Sequence, residues 1–178
     1  MPYSDIESVR AALSARIRDR IGGPGIDEKR EEYFNAPGER WFGPDAVIRR
    51  VHGDTSMFIG GLRALLLQSL HPLAMAGVDK HSDFRNDPWG RLQRTADFIA
   101  VTTFGPEEMA TAMINRVKAV HATVVGTADD GRAYAASDPN LLRWVHVAEV
   151  DSFLRSFQTY GAGPLTPKEA DQYVSEMG

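Results

Sequence analysis

The 178-residue chain contains no cysteine. This absence excludes disulfides, thiolate metal sites, a cysteine nucleophile and covalent cofactor attachment through a C-x-x-C-H motif. Long apolar runs are missing as well, because the most apolar stretch, residues 57–70, has only about 14 of the roughly 20 residues that a membrane span needs. The polar start of the chain lacks the apolar run of a signal peptide. We therefore expect a soluble, cytoplasmic protein without a transmembrane segment.

Positive charge is not in excess either. The chain has 20 Lys and Arg residues against 24 Asp and Glu residues, a formal net charge of −4. Bulk electrostatic binding of nucleic acid needs the opposite balance, so no nucleic-acid partner is expected. The sequence also has no P-loop, no dinucleotide fingerprint, no G-x-S-x-G motif and no EF-hand spacing.

What the chain does contain is helical periodicity. Apolar residues recur at spacings of three and four, and Gly, Pro and Asx breaks separate the periodic segments. We predict an all-α fold, a single globular domain over residues 1–178 with about seven helices and no convincing strand. The predicted helices cover residues 4–21, 44–52, 55–70, 89–104, 106–125 and 140–160, and a last one opens at Thr166. Asp54 or Thr55 is the expected cap of the third helix, Asp87-Pro88 and Asp138-Pro139 mark the starts of two later ones, and Thr166 with Glu169 predicts a capping box. Residues 129–131 are predicted to form a turn.

Three local features of the sequence need a tertiary explanation. Gly60 and Gly61 interrupt a helical pattern at a cost of about 2 kcal/mol relative to alanine, which close packing of a helix or a flat ligand would offset; a local kink is the alternative. Arg63 is closely flanked by apolar residues and should have a buried anionic partner or a kinked exit to solvent. The charged run from Asp27 to Glu32 is interpreted as a solvated surface segment.

His121 is the first candidate for chemistry. It falls on one stripe with Ile114, Val117 and Val124, at spacings of three and four, and so points toward the core. A histidine on an apolar helix face is commonly a satisfied core residue. The functional alternative is an axial haem ligand in a helix-lined pocket.

The preceding helix supplies polar partners. Arg91 and Thr95 lie one turn apart, and Thr102 continues that side. Arg91 and Arg94 offer fixed forks of donors that suit carboxylates, such as haem propionates, or a bound oxygen species. The alternative is a solvent-facing basic stripe.

His146 and Glu149, also one turn apart, are a weaker candidate pair. Their spacing suits two ligands of one metal ion. A surface hydrogen bond or ion pair is the other interpretation.

A series of motifs then matches a known family in order. They are GGLRALLLQSLHPLAMAGV at 60–78, HSDFR at 81–85, DPWGRLQRT at 87–95, TTFG at 102–105, DGRAY at 130–134 and DPNLLRWVH at 138–146. In these motifs the chain resembles the MpaB/latex-clearing-protein family, which includes the rubber oxygenase. The resemblance covers roughly residues 41–160, and since the family usually continues further, it suggests a fragment or an unusually short member.

The resemblance implies a helical fold, globin-like in broad style, and a non-covalent haem b. The position that matches the axial iron ligand is His121, while Arg91 and Thr95 match the family's Arg…Thr pair beside the haem. Arg94 stands where rubber oxygenases carry a distal lysine. The expected roles are therefore Arg94 and Thr95 in catalysis, Arg91, Arg94 and His121 in cofactor binding, and His121 on the metal.

Two departures from the rubber oxygenases shape the functional hypothesis. The distal lysine is replaced by Arg94, and residues 70–78 contain no carboxylate for the distal acidic group, which argues against polyisoprene cleavage. His71, which precedes Pro72, is interpreted either as a second ligand or distal polar group, or as a cap for the broken helix end.

Three functional hypotheses follow from this resemblance. The leading one is a haem b-dependent oxygenase or oxidoreductase that acts on a small apolar organic substrate with dioxygen. The second is a non-catalytic helical protein that binds haem or a small molecule. The third is a haem-free enzyme with His71, His121 and Arg91 as acid and base groups.

Overall fold

The computed structural model describes residues 8–9, 12, 15–16, 20, 23 and 25–178. Within residues 25–178 the chain forms eight α-helices and one two-stranded sheet, which confirms the all-α prediction. The helix predicted over residues 4–21 lies for the most part outside the described residues. The elements are α1 (Ile26–Asn35), α2 (Val47–His52), α3 (Met57–Ser69), α4 (Pro72–His81), α5 (Pro88–Phe104), α6 (Glu107–Thr123), β1 (Val125–Thr127), β2 (Ala133–Ala135), α7 (Pro139–Tyr160) and α8 (Pro167–Met177).

Helix α1 confirms that the charged run is a solvent-exposed segment and shows in addition that it is helical. The run is mostly exposed, but it forms the body of a helix that buries Tyr33. Lys29 Nζ also reaches Asp97 Oδ2 of α5 at 2.9 Å. The sequence shows no apolar period over this helix. Besides Tyr33 and the Lys29 ion pair, the helix contacts the rest of the fold through the Phe34 ring, whose centroid lies 5.0 Å from that of Phe104.

Several predicted helix starts are present with their caps. The Asp87 side chain accepts the Gly90 N–H at 2.8 Å at the start of α5, and Asp138 accepts the Asn140 N–H at 2.7 Å at the start of α7. At the start of α8, Thr166 and Glu169 form the predicted capping box. Proline occupies the first turn in all three helices, where its missing N–H removes no helical hydrogen bond.

The start of α3 differs from the prediction. Asp54 or Thr55 was expected as the cap, whereas the residue before the first helical one is Ser56. Asp54 still satisfies a donor there, because its Oδ1 accepts the Ser56 N–H at 2.7 Å. Its Oδ2 accepts the Ala162 N–H at 3.1 Å, so the same carboxylate ties the start of α3 to the loop after α7.

Helices α3 and α7 make the most extensive helix pair in the described structure. A Cβ atom added at Gly60 would lie 2.8 Å from Phe153 Cδ1 and 3.1 Å from Phe153 Cα, so the glycine lets the two backbones approach. The close-packing prediction is thereby confirmed at Gly60. It does not extend to Gly61, where an added Cβ would meet nothing within 4 Å among the described residues.

Arg63 lies beside this contact and has an anionic partner, although that partner is not buried as predicted. Its Nη1 is 2.7 Å from Asp151 Oδ2 and donates to Ser152 Oγ at 2.8 Å. Both members of the ion pair are partly exposed, so the charge keeps contact with water.

The main core lies where α2, α7 and α8 meet. Its buried members are Val47, Ile48, Val51, Phe153, Phe157, Leu165 and Tyr173. Helix α8 enters this core through Tyr173, whose side chain is completely buried.

A β-hairpin follows α6, where the sequence analysis predicted only a turn. Strands β1 and β2 pair antiparallel with Gly126 opposite Tyr134, and Gly131 turns the chain at φ 85°. A Cβ at Gly126 would lie 2.6 Å from the Tyr134 hydroxyl, so this position needs glycine. Strands of three residues are too short to show a period of two in the sequence. Helix α6 ends at Thr123 instead of the predicted Val125, because strand β1 begins at Val125.

No helix in the described part of the chain has the length and the hydropathy required to cross a bilayer.

Candidate functional site

The predicted site residues lie on two consecutive helices, α5 and α6. The helices have 17 residues each, and Gly105 and Pro106 join them. Arg91 lies 14 residues before Gly105 and His121 lies 16 residues after it. In an antiparallel pair with a rise of 1.5 Å per residue, the two positions differ in height by about 3 Å. Ideal antiparallel packing would therefore set His121 level with the first turns of α5.

The His121 side chain lies on the inner stripe of α6, as predicted. Ala110 on the same stripe is buried, while Ile114 and Val117 are half-buried. Burial lowers the pKa of His121, so its imidazole is neutral at physiological pH. Within the described structure neither ring nitrogen makes a hydrogen bond. A neutral imidazole without a protein partner has the protonation state of a metal ligand.

Arg91 reaches from α5 to the end of α3. Its Nη2 donates to Gln68 Oε1 at 2.8 Å. Burial, followed by the nearby charge of Arg94, lowers the pKa of the half-buried guanidinium, which nevertheless stays charged because an arginine pKa is so high. No acidic side chain pairs with Arg91 among the described residues, so this cation is available to an external carboxylate.

The threonines of α5 are tied to their own helix. Thr95 Oγ1 donates to the Arg91 carbonyl oxygen at 3.2 Å, and Thr102 Oγ1 donates to the Phe98 carbonyl oxygen at 2.8 Å. Arg91, Thr95, Phe98 and Thr102 recur every three to four residues and are all half-buried, so they form one side of α5. In this rotamer the Thr95 oxygen keeps lone pairs that can accept a hydrogen bond from a ligand.

Arg94 lies apart from this side of α5. Its side chain is 64% exposed, and its Nη1 is 3.6 Å from Asp87 Oδ2. Arg91 and Thr95 thus lie on one half-buried side of α5, and Arg94 lies at its exposed rim. An exposed ion pair of this length adds little stability, so the Arg94 side chain can leave Asp87 at small cost.

The space beside Gly61 bears on whether a flat cofactor fits. Gly61 and Gln68 lie seven residues apart on one side of α3, and Gln68 is the residue that Arg91 bonds. Nothing among the described residues lies within 4 Å of a Cβ at Gly61, so α3 has free room at that position, about two turns before the Gln68–Arg91 hydrogen bond. The neutral imidazole of His121 and the Arg91 guanidinium without an acidic partner are groups of the kind that can hold a haem iron and a propionate.

Two open clefts lie outside this region. One, of about 480 Å³, borders Trp89 and Gln93 at the start of α5, and the other, of about 440 Å³, borders Glu39 and Thr111. Neither includes Arg91 or His121.

His71 acts as a helix cap. Its Nδ1 accepts the Ala74 N–H at 3.4 Å at the start of α4, and its ring lies 5.5 Å from that of Trp144. This confirms the capping interpretation of His71.

The His146–Glu149 pair is not assembled as a metal site. His146 is exposed, Glu149 is half-buried, and the described residues contain no group of three or more His, Cys, Asp and Glu side chains that could hold an ion.

The sequence analysis missed a polar cluster beside the main core, formed by His52, Thr103 and Tyr173. His52 Nδ1 lies 2.8 Å from Thr103 Oγ1, and His52 Nε2 lies 3.1 Å from the Tyr173 hydroxyl. Burial lowers the pKa of His52 to about 3, so the ring is neutral, with one nitrogen donating and the other accepting. The one available signal was the position of His52 directly after three buried residues of α2, Val47, Ile48 and Val51.

Glu149 adds a titratable group near this cluster. It is on the inner side of α7, one turn before Phe153, whose ring packs against His52. Burial raises the pKa of the Glu149 carboxyl to about 7, and its charge in turn contributes to raising the pKa of Tyr173. No hydrogen bond to the Glu149 carboxyl is present within the described residues.

Comparison with known proteins assigns this arrangement to a family. No curated protein and no solved structure gives a significant match. The sequence model of the family described as ER-bound oxygenase mpaB/B'/Rubber oxygenase, catalytic domain, matches residues 49–178, a span that includes every candidate site residue. The chain therefore belongs to the family of mpaB and rubber oxygenase catalytic domains.

Proposed function

We propose that this chain is a haem-dependent oxygenase that acts on a small apolar organic substrate with dioxygen. Membership of a family of oxygenase catalytic domains supports an oxygenase activity. The observation that carries the haem proposal is the neutral, half-buried His121, whose ring nitrogens have no partner among the described residues.

Each residue of the site has a separate task in this proposal. His121 holds the haem iron through a ring nitrogen, and Arg91 pairs with a propionate carboxylate while Gln68 fixes its direction. Thr95 offers a hydroxyl beside Arg91, and Arg94 at the rim supplies a mobile cation. Haem, when bound, supplies the redox chemistry with dioxygen, and the helices orient the substrate and exclude water.

An absorption spectrum during titration with haemin tests the cofactor. The parent protein should give a saturable Soret band near one haem per chain, and His121→Ala should lose or shift it. His146→Ala is the matched control, because His146 is exposed on α7 and should leave the band unchanged. A folded parent that binds no haemin would reject the proposal, as would a His121→Ala protein with unchanged haem content and spectrum.

Substrate-dependent oxygen uptake tests the enzymatic half of the proposal. Apolar substrates should raise the rate of oxygen consumption by the haem-loaded parent, and Arg94→Gln or Thr95→Val should lower that rate without removing the Soret band. Stable haem binding with no oxygen uptake on any substrate would instead indicate a haem carrier.

A further inference from the structure

Helices α3 and α7 share an outer face that is apolar and exposed. Along α3 the stripe consists of Ile59, Leu62, Leu66 and Leu70, and the last three are 57%, 69% and 71% exposed. Their spacings of three and four place them on one side of the helix, away from the Gly60 contact with α7. Along α7, Trp144 and Val147 are exposed at 43% and 58%.

Two contacts show that these side chains belong to one surface. The Arg63–Asp151 ion pair joins the outer edges of the two helices near Leu62, and the His71 ring meets Trp144 next to Leu70. The pairings Gly60 with Phe153 and His71 with Trp144 show that the helices run antiparallel. The stripe and the Trp144–Val147 pair therefore lie side by side along the length of the helix pair.

The size of the face argues against a second copy as its occupant. From Ile59 to Leu70 the stripe is about 17 Å long, and two helices side by side are about 20 Å wide. The resulting patch of about 350 Å² is less than half of the roughly 800 Å² that each partner contributes to a stable dimer. Exposed apolar patches of this size are nevertheless often functional sites.

The charges around the face also argue against self-association. Helices α3 and α7 carry Arg63, Arg143 and Arg155 there, against the single acid Asp151, which both Arg63 and Arg155 already engage. The face is thus basic on a chain whose net charge is −4. Two such faces would repel each other, whereas an anionic surface would attract both the arginines and the apolar stripe.

We propose that the outer face of α3 and α7 docks on an anionic lipid bilayer surface, with the leucine stripe inserted and the arginines at the headgroups. Trp144 lies at the boundary, where an aromatic ring with one polar atom is favoured. In this binding mode the two helices lie in the plane of the membrane interface and their apolar side inserts by only about 5–10 Å, so no membrane-spanning segment is needed. The proposal does not depend on the haem site.

Co-sedimentation with vesicles tests this surface. The parent protein should bind vesicles of phosphatidylcholine mixed with phosphatidylserine, bind pure phosphatidylcholine much less, and dissociate as salt is raised. Leu66→Ser should weaken binding roughly tenfold or more, and Arg143→Glu should also weaken it. Val120→Ser and Arg116→Glu are matched controls on exposed positions of α6 and should bind like the parent.

Tryptophan fluorescence provides a second readout. Mixed vesicles should shift the emission of Trp144 to shorter wavelength, and the shift should vanish in Trp144→Phe but remain in Trp89→Phe. The proposal is overturned if the parent does not bind the mixed vesicles, or if Leu66→Ser binds as tightly as Val120→Ser. It is also overturned if light scattering finds a dimer that Leu66→Ser dissociates, because a second copy then covers the face.

Discussion

At the scale of single residues, burial decides the chemistry of the histidines. The sequence contains five of them, and its helical periodicity assigned only His121 to an apolar stripe. His52 is enclosed by Thr103, Tyr173 and Phe153 and serves the core, whereas His71 caps a helix. His121 is the half-buried histidine whose ring nitrogens remain unbonded within the described structure, and this distinguishes it as the ligand candidate.

The buried His52 makes a residue-scale prediction about acid stability. Its pKa is about 3 in the folded protein and near 6.5 when unfolded, so between these values the unfolded state binds more protons. The free energy of unfolding therefore decreases as pH falls, and His52 contributes up to about 1.4 kcal/mol of this decrease per pH unit. Urea unfolding between pH 3 and 4.5 should show a shallower loss for His52→Gln, whose amide can still bond both hydroxyl groups. An identical slope for parent and variant would mean that His52 is not the group that titrates.

At the scale of secondary-structure elements, the two adjacent glycines of α3 have opposite environments. Gly60 faces Phe153 at a distance that leaves no room for a methyl group, while Gly61 faces open space. The sequence presents them as an equivalent pair, and only the position of α7 distinguishes them.

Alanine substitutions test this difference directly. Gly60→Ala should destabilise the fold by about 1–3 kcal/mol, because Phe153 and the α7 backbone must move. Gly61→Ala should be neutral or stabilise by up to about 1 kcal/mol, since it improves helix propensity without a clash. Thermal unfolding of the two variants supplies the comparison, and equal effects would contradict the packing of α3 against α7.

At the scale of the whole molecule, Glu149 and His52 oppose each other in pH dependence. Glu149 has a pKa of about 7 in the folded protein against 4.5 as its ordinary value, so the folded state binds the extra proton between them. This group therefore contributes stability that is lost as pH rises from 4.5 to 7. The stability that His52 contributes increases with pH over most of the same range, so the two effects on the free energy of unfolding partly cancel.

The expected result is a broad plateau of stability from about pH 4.5 to 6.5 in the parent. In Glu149→Gln the plateau should become a rise with pH, because the His52 trend is then unopposed. Glu108→Gln, an exposed substitution on α6, is the control and should keep the plateau. A Glu149→Gln protein with the pH profile of the parent would show that the carboxyl is not held protonated by burial.

The sequence by itself determined the helical class, most helix bounds and the caps of α5, α7 and α8. It did so because apolar spacing and Asx, Pro and Gly signals act within a few residues of each other. The order of its motifs also predicted the family, which the family-model match confirms, and the resemblance gave His121 as the candidate ligand. The helices and their caps depend on residues that are close together in the chain, so the sequence alone is enough to predict them.

The tertiary structure alone decided the features that depend on which elements meet. It formed α1 from a charged run through Tyr33 and Lys29, and it built a hairpin whose strands are too short to show a pattern. It also separated Gly60 from Gly61, placed Arg94 at the rim and enclosed His52 and Glu149. Whether a residue is buried or faces free space depends on residues that are distant in the chain. These distant residues therefore set its protonation state and its tolerance of a larger side chain.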